Sequence, residues 1–296
     1  MVTPLFWQES FVRLNPKFSR QEIVLKSKFK ERTLLFNFTM DEAKNKLDIP
    51  GQLTFGGLWP IDREQLNLED VYQAFNKISD NLPNFEISKI KMPPSYFYPE
   101  IFNQQNHYFK SLRNFVSVIE VNQTVFLSDW DTSKLRRDKI KKIKKFEAAN
   151  GLCDLARETE LGRCIDILEE NRINKGLRLS LSKSEILNLL RLLPNNYKMY
   201  KVEIENRICA SALTVSLSDT VEYVLYWGDD ENYRALSPVT SLFLKIVTSC
   251  KSGNKRYLDL GISSVNGNLE EGLFNFKSSL GASAFSKYHF KLLKDM

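Results

Sequence analysis

Three apolar, β-rich runs stand almost end to end in the second half of the chain: Tyr197–Ile204, Arg207–Leu217 and Thr220–Trp227. Glu205-Asn206 separates the first pair and Ser218-Asp219 the second. Connections of two residues join neighbouring antiparallel strands, because a parallel crossover needs a dozen residues or more. The meander is thus the centre of a sheet, and its flanks set the class. Before it, Leu152–Glu158 reads as a strand and 160–175 as a helix stopped by Gly176. Ser182-Lys-Ser-Glu185 is a capping box that opens a helix ending before Pro194. After the meander, Ser237-Pro238 starts a helix with Ser as cap and Pro at the first position. Val239, Leu242, Phe243, Ile246, Val247 and Cys250 form its apolar stripe. Arg256–Leu260 is a strand, 269–280 a helix and Ala284–Leu292 a last strand. The order is β-α-α-β-β-β-α-β-α-β.

The first half repeats part of that order as β-β-α-β-α-β. Leu34–Phe38 and Gln52–Trp59 read as strands, and Leu68–Leu82 as a helix. Phe85–Lys91 is a strand ended by Pro93-Pro94, Glu100–Arg113 a helix and Phe115–Val121 a strand. The fold class is α/β with a mixed (α+β) sheet, in two domains, 1–124 and 125–296.

With 296 residues and 43% hydrophobic composition, the chain is long enough for one large or two ordinary cores. No apolar run approaches the roughly 18 residues of a bilayer span. Glu9 and Arg13 interrupt any leader-like start. Cys153, Cys164, Cys209 and Cys250 lie far apart, the pattern of reduced thiols in a cytoplasmic protein. Two histidines, His107 and His289, leave no basis for a His-rich zinc site or a Ser-His-Asp triad, so no metal is expected. The net charge of +6 is local: eight of the twelve residues 134–145 are Lys or Arg, leaving 34 basic and 35 acidic residues elsewhere. A near-neutral body with one basic helix is unlike a DNA-binding protein. The helix reads first as a solvated face, with Leu135, Ile143 and Phe146 packed inward, and alternatively as a contact for an anionic ligand such as a phosphate-linked sugar, an acidic membrane or tRNA, with Arg136 as the first candidate contact.

Several segments together carry a family resemblance. Ser133–Gly151, with its run Lys-Leu-Arg-Arg-Asp-Lys-Ile-Lys-Lys-Ile-Lys-Lys, resembles the basic helix that opens the second domain of FemAB-like proteins, the double-GNAT group. Phe55-Gly-Gly-Leu58 and Pro93-Pro-Ser-Tyr96 resemble the first-domain landmarks of its short acetyltransferase-like branch. Leu258-Asp-Leu-Gly-Ile-Ser-Ser264, Gly272-Leu273, Phe276-Lys277 and Gly281-Ala282 resemble its closing signature. The resemblance implies two tandem GNAT-like domains, the N-terminal one degenerate. It implies an acyltransferase that moves an acyl group from acetyl-CoA or another acyl-CoA to an amine or hydroxyl of a small or glycan-linked, cell-wall-related acceptor. Within the same fold the alternatives are a peptidyl transferase that uses aminoacyl-tRNA and a non-catalytic binding protein. The chain departs from the pattern at the phosphate loop, held by Asn232-Tyr-Arg-Ala-Leu-Ser-Pro238, and at Leu181, Val265 and Glu270.

In a GNAT domain the fourth and fifth strands part, and the pantetheine arm of CoA pairs with the freed backbone. The resemblance puts Thr220–Trp227 and Arg256–Leu260 in those places. Tyr226, Trp227, Gly228, Arg234, Leu236 and Ser237 are then the candidate donor-binding residues, with the helix N-terminus at 237 suited to a pyrophosphate. Alternation groups Tyr226 with Glu222 and Val224 on one strand face. Tyr226, Glu222 and Asp259 are the candidate catalytic residues, as base directly or through water. Asp229, Ser263, Ser264, Asn266, Asn268 and Lys277 are the candidate acceptor contacts.

Overall fold

The computed structural model describes residues 3–14, 19–26, 31–49, 54–62 and 64–293. The chain divides into two compact units, one of Met1–Asn122, Ile262–Glu270 and Phe285–Met296, the other of Gln123–Gly261 and Glu271–Ala284.

The first unit holds α1 (Glu9–Arg13), β1 (Ser19–Lys26), β2 (Glu31–Asp41), β3 (Lys46–Ile49), β4 (Leu58–Pro60), α2 (Leu68–Asn81), β5 (Glu86–Pro94), α3 (Pro99–Ser111) and most of β6 (Phe115–Phe126). Late segments of the chain return to it, including most of β14 (Ser283–Leu292). The strands run in the order β1-β2-β3-β5-β14-β6, with β4 on β2 and a parallel β3–β5 pair. Asn67 and Asp70 close a reciprocal capping box on α2, and Trp7, Phe55, Trp59, Phe97 and Phe102 form an aromatic core. The order is longer than expected, since β1, β3 and α1 add to it. Gln52–Trp59 falls partly outside the described residues, and its described part is strand only from Leu58. Pro93-Pro94 does not end β5: the strand runs through both, and the Ser95 N–H donates to the Ser286 carbonyl just beyond.

The second unit holds α4 (Arg137–Ala148), β7 (Leu152–Leu155), α5 (Leu161–Ile173), α6 (Lys183–Leu192), β8 (Tyr197–Ile204), β9 (Arg207–Ser216), β10 (Val221–Asp229), α7 (Pro238–Ser252), β11 (Tyr257–Ile262) and α8 (Glu271–Ser278). Between β11 and α8 lies the hairpin of β12 (Ser264–Val265) and β13 (Asn268–Leu269), which the expected 269–280 helix partly overran. The sheet order is β11-β10-β9-β8-β7. β8, β9 and β10 are the antiparallel meander that the short connections require, and β10–β11 is parallel. The capping box at Ser182 and Glu185 is formed. The apolar stripe of α7 (Leu242, Phe243, Ile246, Val247, Cys250) is buried against Val202, Ala212, Val224 and Leu258 of the sheet. At roughly 1.5–3 kcal/mol per fully buried large side chain, this layer is a main source of the unit's stability.

Candidate active site

β10 carries the site. Against β9 its register runs Glu222↔Ser216, Tyr223↔Val215 and Val224↔Thr214, then passes over Leu225, so that Tyr226 pairs with Leu213, Trp227 with Ala212 and Gly228 with Ser211. Leu225 is a β-bulge, and one extra residue inverts the alternation beyond it. Glu222, Val224 and Trp227 therefore share one face, and Tyr223, Tyr226 and Gly228 the other. The expected grouping of Tyr226 with Glu222 and Val224 is corrected by this bulge.

The first face is turned to α7 and α8. Val224 packs in the α7 core, and Trp227 meets Phe276 of α8 edge-on at 5.5 Å. Glu222 is 3% exposed there, and Thr214 Oγ1 donates to it at 2.6 Å. Burial raises its carboxyl above the usual range, opposed by Thr214 and by Lys255.

The second face is turned to α5 and the loop after it. Gly228 lies so close to α5 that a Cβ there would be 2.8 Å from Asn171. Asn171 Nδ2 donates to the Asp229 carbonyl at 2.9 Å and to its carboxylate at 3.1 Å. Burial raises the Asp229 carboxyl, with Arg234 and Lys175 opposing. The Tyr226 hydroxyl is hydrogen-bonded to the exposed Ser180 hydroxyl, and the Arg172 guanidinium stands 5.8 Å from the Tyr226 ring centre. Sequence reasoning missed Arg172, Ser180 and Tyr223 as members of this cluster; the first two lie on α5 and its following loop, which no strand-face pattern connects to Tyr226.

β10 and β11 pair only at Val221↔Tyr257, Glu222↔Leu258 and Tyr223↔Asp259. β10 then runs to Asp229 and β11 to Ile262 without pairing to each other. Asp259, 1% exposed, stands where they part and accepts the Gly261 N–H at 2.7 Å. Gly261 has φ +77°, which favours glycine, and a Cβ there would come within 3.2 Å of the Tyr223 hydroxyl. Lys277 is buried rather than presented on a surface, and its Nζ donates to the Gly261 carbonyl at 2.9 Å. Burial pushes the Tyr223 hydroxyl well above its ordinary value, and the charge of Asp259 adds to the shift.

At the start of α7, Ser237 does not cap through its side chain. It has φ +53°, and its hydroxyl is engaged with Thr240 Oγ1 at 2.9 Å. Ser241 in the same turn has a buried Oγ without a hydrogen-bond partner. The preceding segment is a 3-10 helix, Glu231–Leu236, with Leu236 half-buried at its end. Arg234 is exposed and faces Glu231 at 3.3 Å and Asp229 at 3.8 Å. Arg136 precedes α4; its guanidinium holds Asp138 at about 2, well below the usual carboxylate range. Arg137, Lys141, Lys142, Lys144 and Lys145 have no ion pair among the described residues.

Ser263, Ser264, Asn266 and Asn268 fall in the first unit. The Ser263 N–H donates to the Val121 carbonyl at 2.7 Å. Ser264 Oγ donates to Glu120 and accepts the Val121 N–H. Asn266 and Gly267, both at positive φ, make the two-residue turn of the β12–β13 hairpin, and Asn266 accepts from Lys291 at 3.0 Å. Asn268 is exposed on β13. Among the described residues no group of three or more His, Cys, Asp or Glu is placed to hold a metal. No helix there is long and apolar enough to cross a membrane. All four cysteines are free thiols, three of them buried.

A meander followed by a helix and a parallel strand that parts from its neighbour is the arrangement of the GNAT fold. Residues 133–278 match the family described as "Acetyltransferase (GNAT) domain". The whole chain is similar in structure to FemX, with TM-score 0.68 at 10% identity over 98% of this chain and 93% of that one. It is similar to L-PGS from Bacillus licheniformis (TM-score 0.58, 9% identity, 92% and 84%). A tandem GNAT protein from the clavulanic acid biosynthesis pathway gives TM-score 0.53 at 8% identity over 93% and 82%. The chain has the FemAB-like double-GNAT fold. None of the curated proteins matches it in sequence.

Proposed function

We propose that the second unit is an acyltransferase that takes an acyl group from acetyl-CoA or another acyl-CoA and passes it to an amine or hydroxyl of a small or glycan-linked acceptor. The observation that carries this reading is the parting of β10 and β11 beyond Tyr223 and Asp259. Backbone groups released from a ladder are ready to pair with the amides of a pantetheine arm. The first turn of α7, with its N-terminal N–H groups and the unpartnered Ser241 hydroxyl, suits a pyrophosphate. CoA supplies an acyl group activated as a thioester.

The chain's own residues position and move protons. The Tyr226–Ser180 hydrogen bond links a buried hydroxyl to an exposed one, a path for the proton leaving the acceptor. Tyr223, kept protonated by burial, can donate a hydrogen bond to the departing sulfur, which takes its proton from solvent. Asp259 and Lys277 pin the two ends of the Gly261 residue and hold the mouth open. Most of the acceleration comes from holding acceptor and acyl carbon together. Glu222, on the opposite face, supports the strand.

A thermal-shift titration tests this. Acetyl-CoA should raise the Tm, and Ser241→Val should weaken the shift. A flat response to every acyl-CoA tried would sink the proposal. Aminoacyl-tRNA is the second reading, favoured by one observation: Arg234, the expected phosphate contact, faces Glu231 and Asp229 instead. A salt-sensitive gel shift with aminoacyl-tRNA, and none of the acyl-CoA response, would select it.

A further inference from the structure

Among the described residues Arg172 is the arginine withdrawn from solvent without a carboxylate in ion-pair range. The other half-buried guanidiniums are paired: Arg32 with Asp62 and Asp70, and Arg20 with Glu22. Four of the nine exposed ones on the same unit also have partners, Arg136 with Asp138, Arg157 with Glu160, Arg163 with Glu170 and Arg234 with Glu231, and the other five are open to water. Taking a guanidinium even partly out of water without a counter-ion is costly. Arg172 sits in the last turn of α5, where the helix carbonyls and the face of Tyr226 at 5.8 Å offset part of that cost. Neither satisfies the planar fork of N–H donors, which matches an oxyanion.

Arg178, exposed on the loop that carries Ser180, has no ion pair. Among the described residues the hydrogen bond of Lys175 Nζ is to the neutral Asn171 Oδ1, at 2.7 Å, and the Asp229 carboxylate attracts it from farther off. The nearby acid, Asp229, is engaged by Asn171. Arg172, over the Tyr226 ring, and Arg178, two residues before Ser180, thus lie on the segments that carry the Tyr226–Ser180 hydrogen bond, with Lys175 between them in sequence.

We propose that the acceptor carries an anionic group, a carboxylate or a phosphate, and that Arg172 binds it, with Arg178 and Lys175 at the rim. Bound there, the anion places the acceptor's nucleophile beside the Tyr226–Ser180 pair. This rests on the acyltransferase reading for the term acceptor, but the anion site stands on Arg172 alone.

The test uses small amines that differ only in charge: glycine against glycinamide, and phosphoethanolamine against ethanolamine. Each is titrated into the full chain by NMR at fixed ionic strength, with and without acetyl-CoA. The member that bears the carboxylate or phosphate, in at least one pair, should bind about tenfold more tightly than the partner without it, the size of one charge-assisted contact. The glycine arm reports a carboxylate site and the phosphoethanolamine arm a phosphate site. Arg172→Gln should abolish the preference, Arg172→Lys should keep part of it, and Arg191→Gln on α6 should leave it intact. If probes with and without the acidic group bind alike while acetyl-CoA still binds, the anion site is wrong and the acyltransferase reading survives. If acetyl-CoA does not bind but the Arg172-dependent preference remains, the donor reading fails and the anion site stands. A preference that persists in Arg172→Gln overturns the assignment to Arg172. Should Arg172→Gln not fold, Arg172→Lys together with Arg178→Gln carries the test: no loss in either overturns the proposal.

Discussion

The two faces of β10 hold the same kinds of residue and put them to different use. On one, Glu222 is sealed under α7 with the Thr214 and Ser216 hydroxyls as donors, and burial raises its carboxyl. On the other, Tyr226 is as well buried, yet its hydroxyl ends on an exposed serine and lies beside an unpaired guanidinium. A buried polar group is a functional candidate when its hydrogen-bond chain leads to solvent. One whose chain closes inside the core supports the fold. A perturbed carboxyl alone does not choose between the faces, since burial raises both Glu222 and Asp229.

The strongest way to break that contrast is Tyr226→Phe. Thiol release from acetyl-CoA, followed colorimetrically, should fall about 100-fold or more, while the Tm changes little. Turnover close to that of the parent protein would remove the second face from the chemistry. Gly228→Ala is next: the new Cβ has no room against Asn171, and the unfolding free energy in urea should drop by about 1–3 kcal/mol. The effect should not extend to Gly272→Ala, where a Cβ meets nothing within 4 Å.

The smallest effect concerns the first face. Glu222 has a folded pKa raised above its ordinary 4.5. Below that value both states are protonated and the contribution is complete. As pH rises through 4.5 the unfolded chain ionises while the buried carboxyl resists, so stability falls until the folded pKa is passed. Glu222→Gln cannot ionise, so its unfolding free energy relative to the parent should grow across that window. Chemical denaturation between pH 4 and pH 8 measures the difference, and parallel curves would show that Glu222 is solvated.

Much of the architecture was legible in local pattern. The meander, the capping box at Ser182 and the stripe on α7 lie where periodicity put them, because each depends on neighbours within a few residues. β1 was missed because Ser19–Glu22 is wholly polar, and β3 because Lys46–Ile49, though it alternates, is only four residues long. The candidate site was legible only in part. Tyr226, Asp259 and Lys277 are found around the end of the β10–β11 ladder, but Lys277 is buried on a carbonyl and Arg234 is matched by acids. The family resemblance pointed to β10 as the strand of the candidate residues, not to which of its faces each one occupies.

The sequence by itself determined the kind and order of elements, because helix and strand periodicities are short-range signals. The tertiary structure alone decided which residues meet. Val-Glu-Tyr-Val-Leu-Tyr-Trp reads as one unbroken strand, and nothing in it marks Leu225 as the residue without a partner. Only pairing with β9, a partner brought from elsewhere in the chain, creates the bulge and turns Tyr226 away from Glu222. The closing segment was likewise one signature in sequence, yet Ile262–Glu270 packs with the first unit and Glu271–Ala284 with the second. Local pattern cannot encode that division, because it depends on which distant surfaces bury each piece.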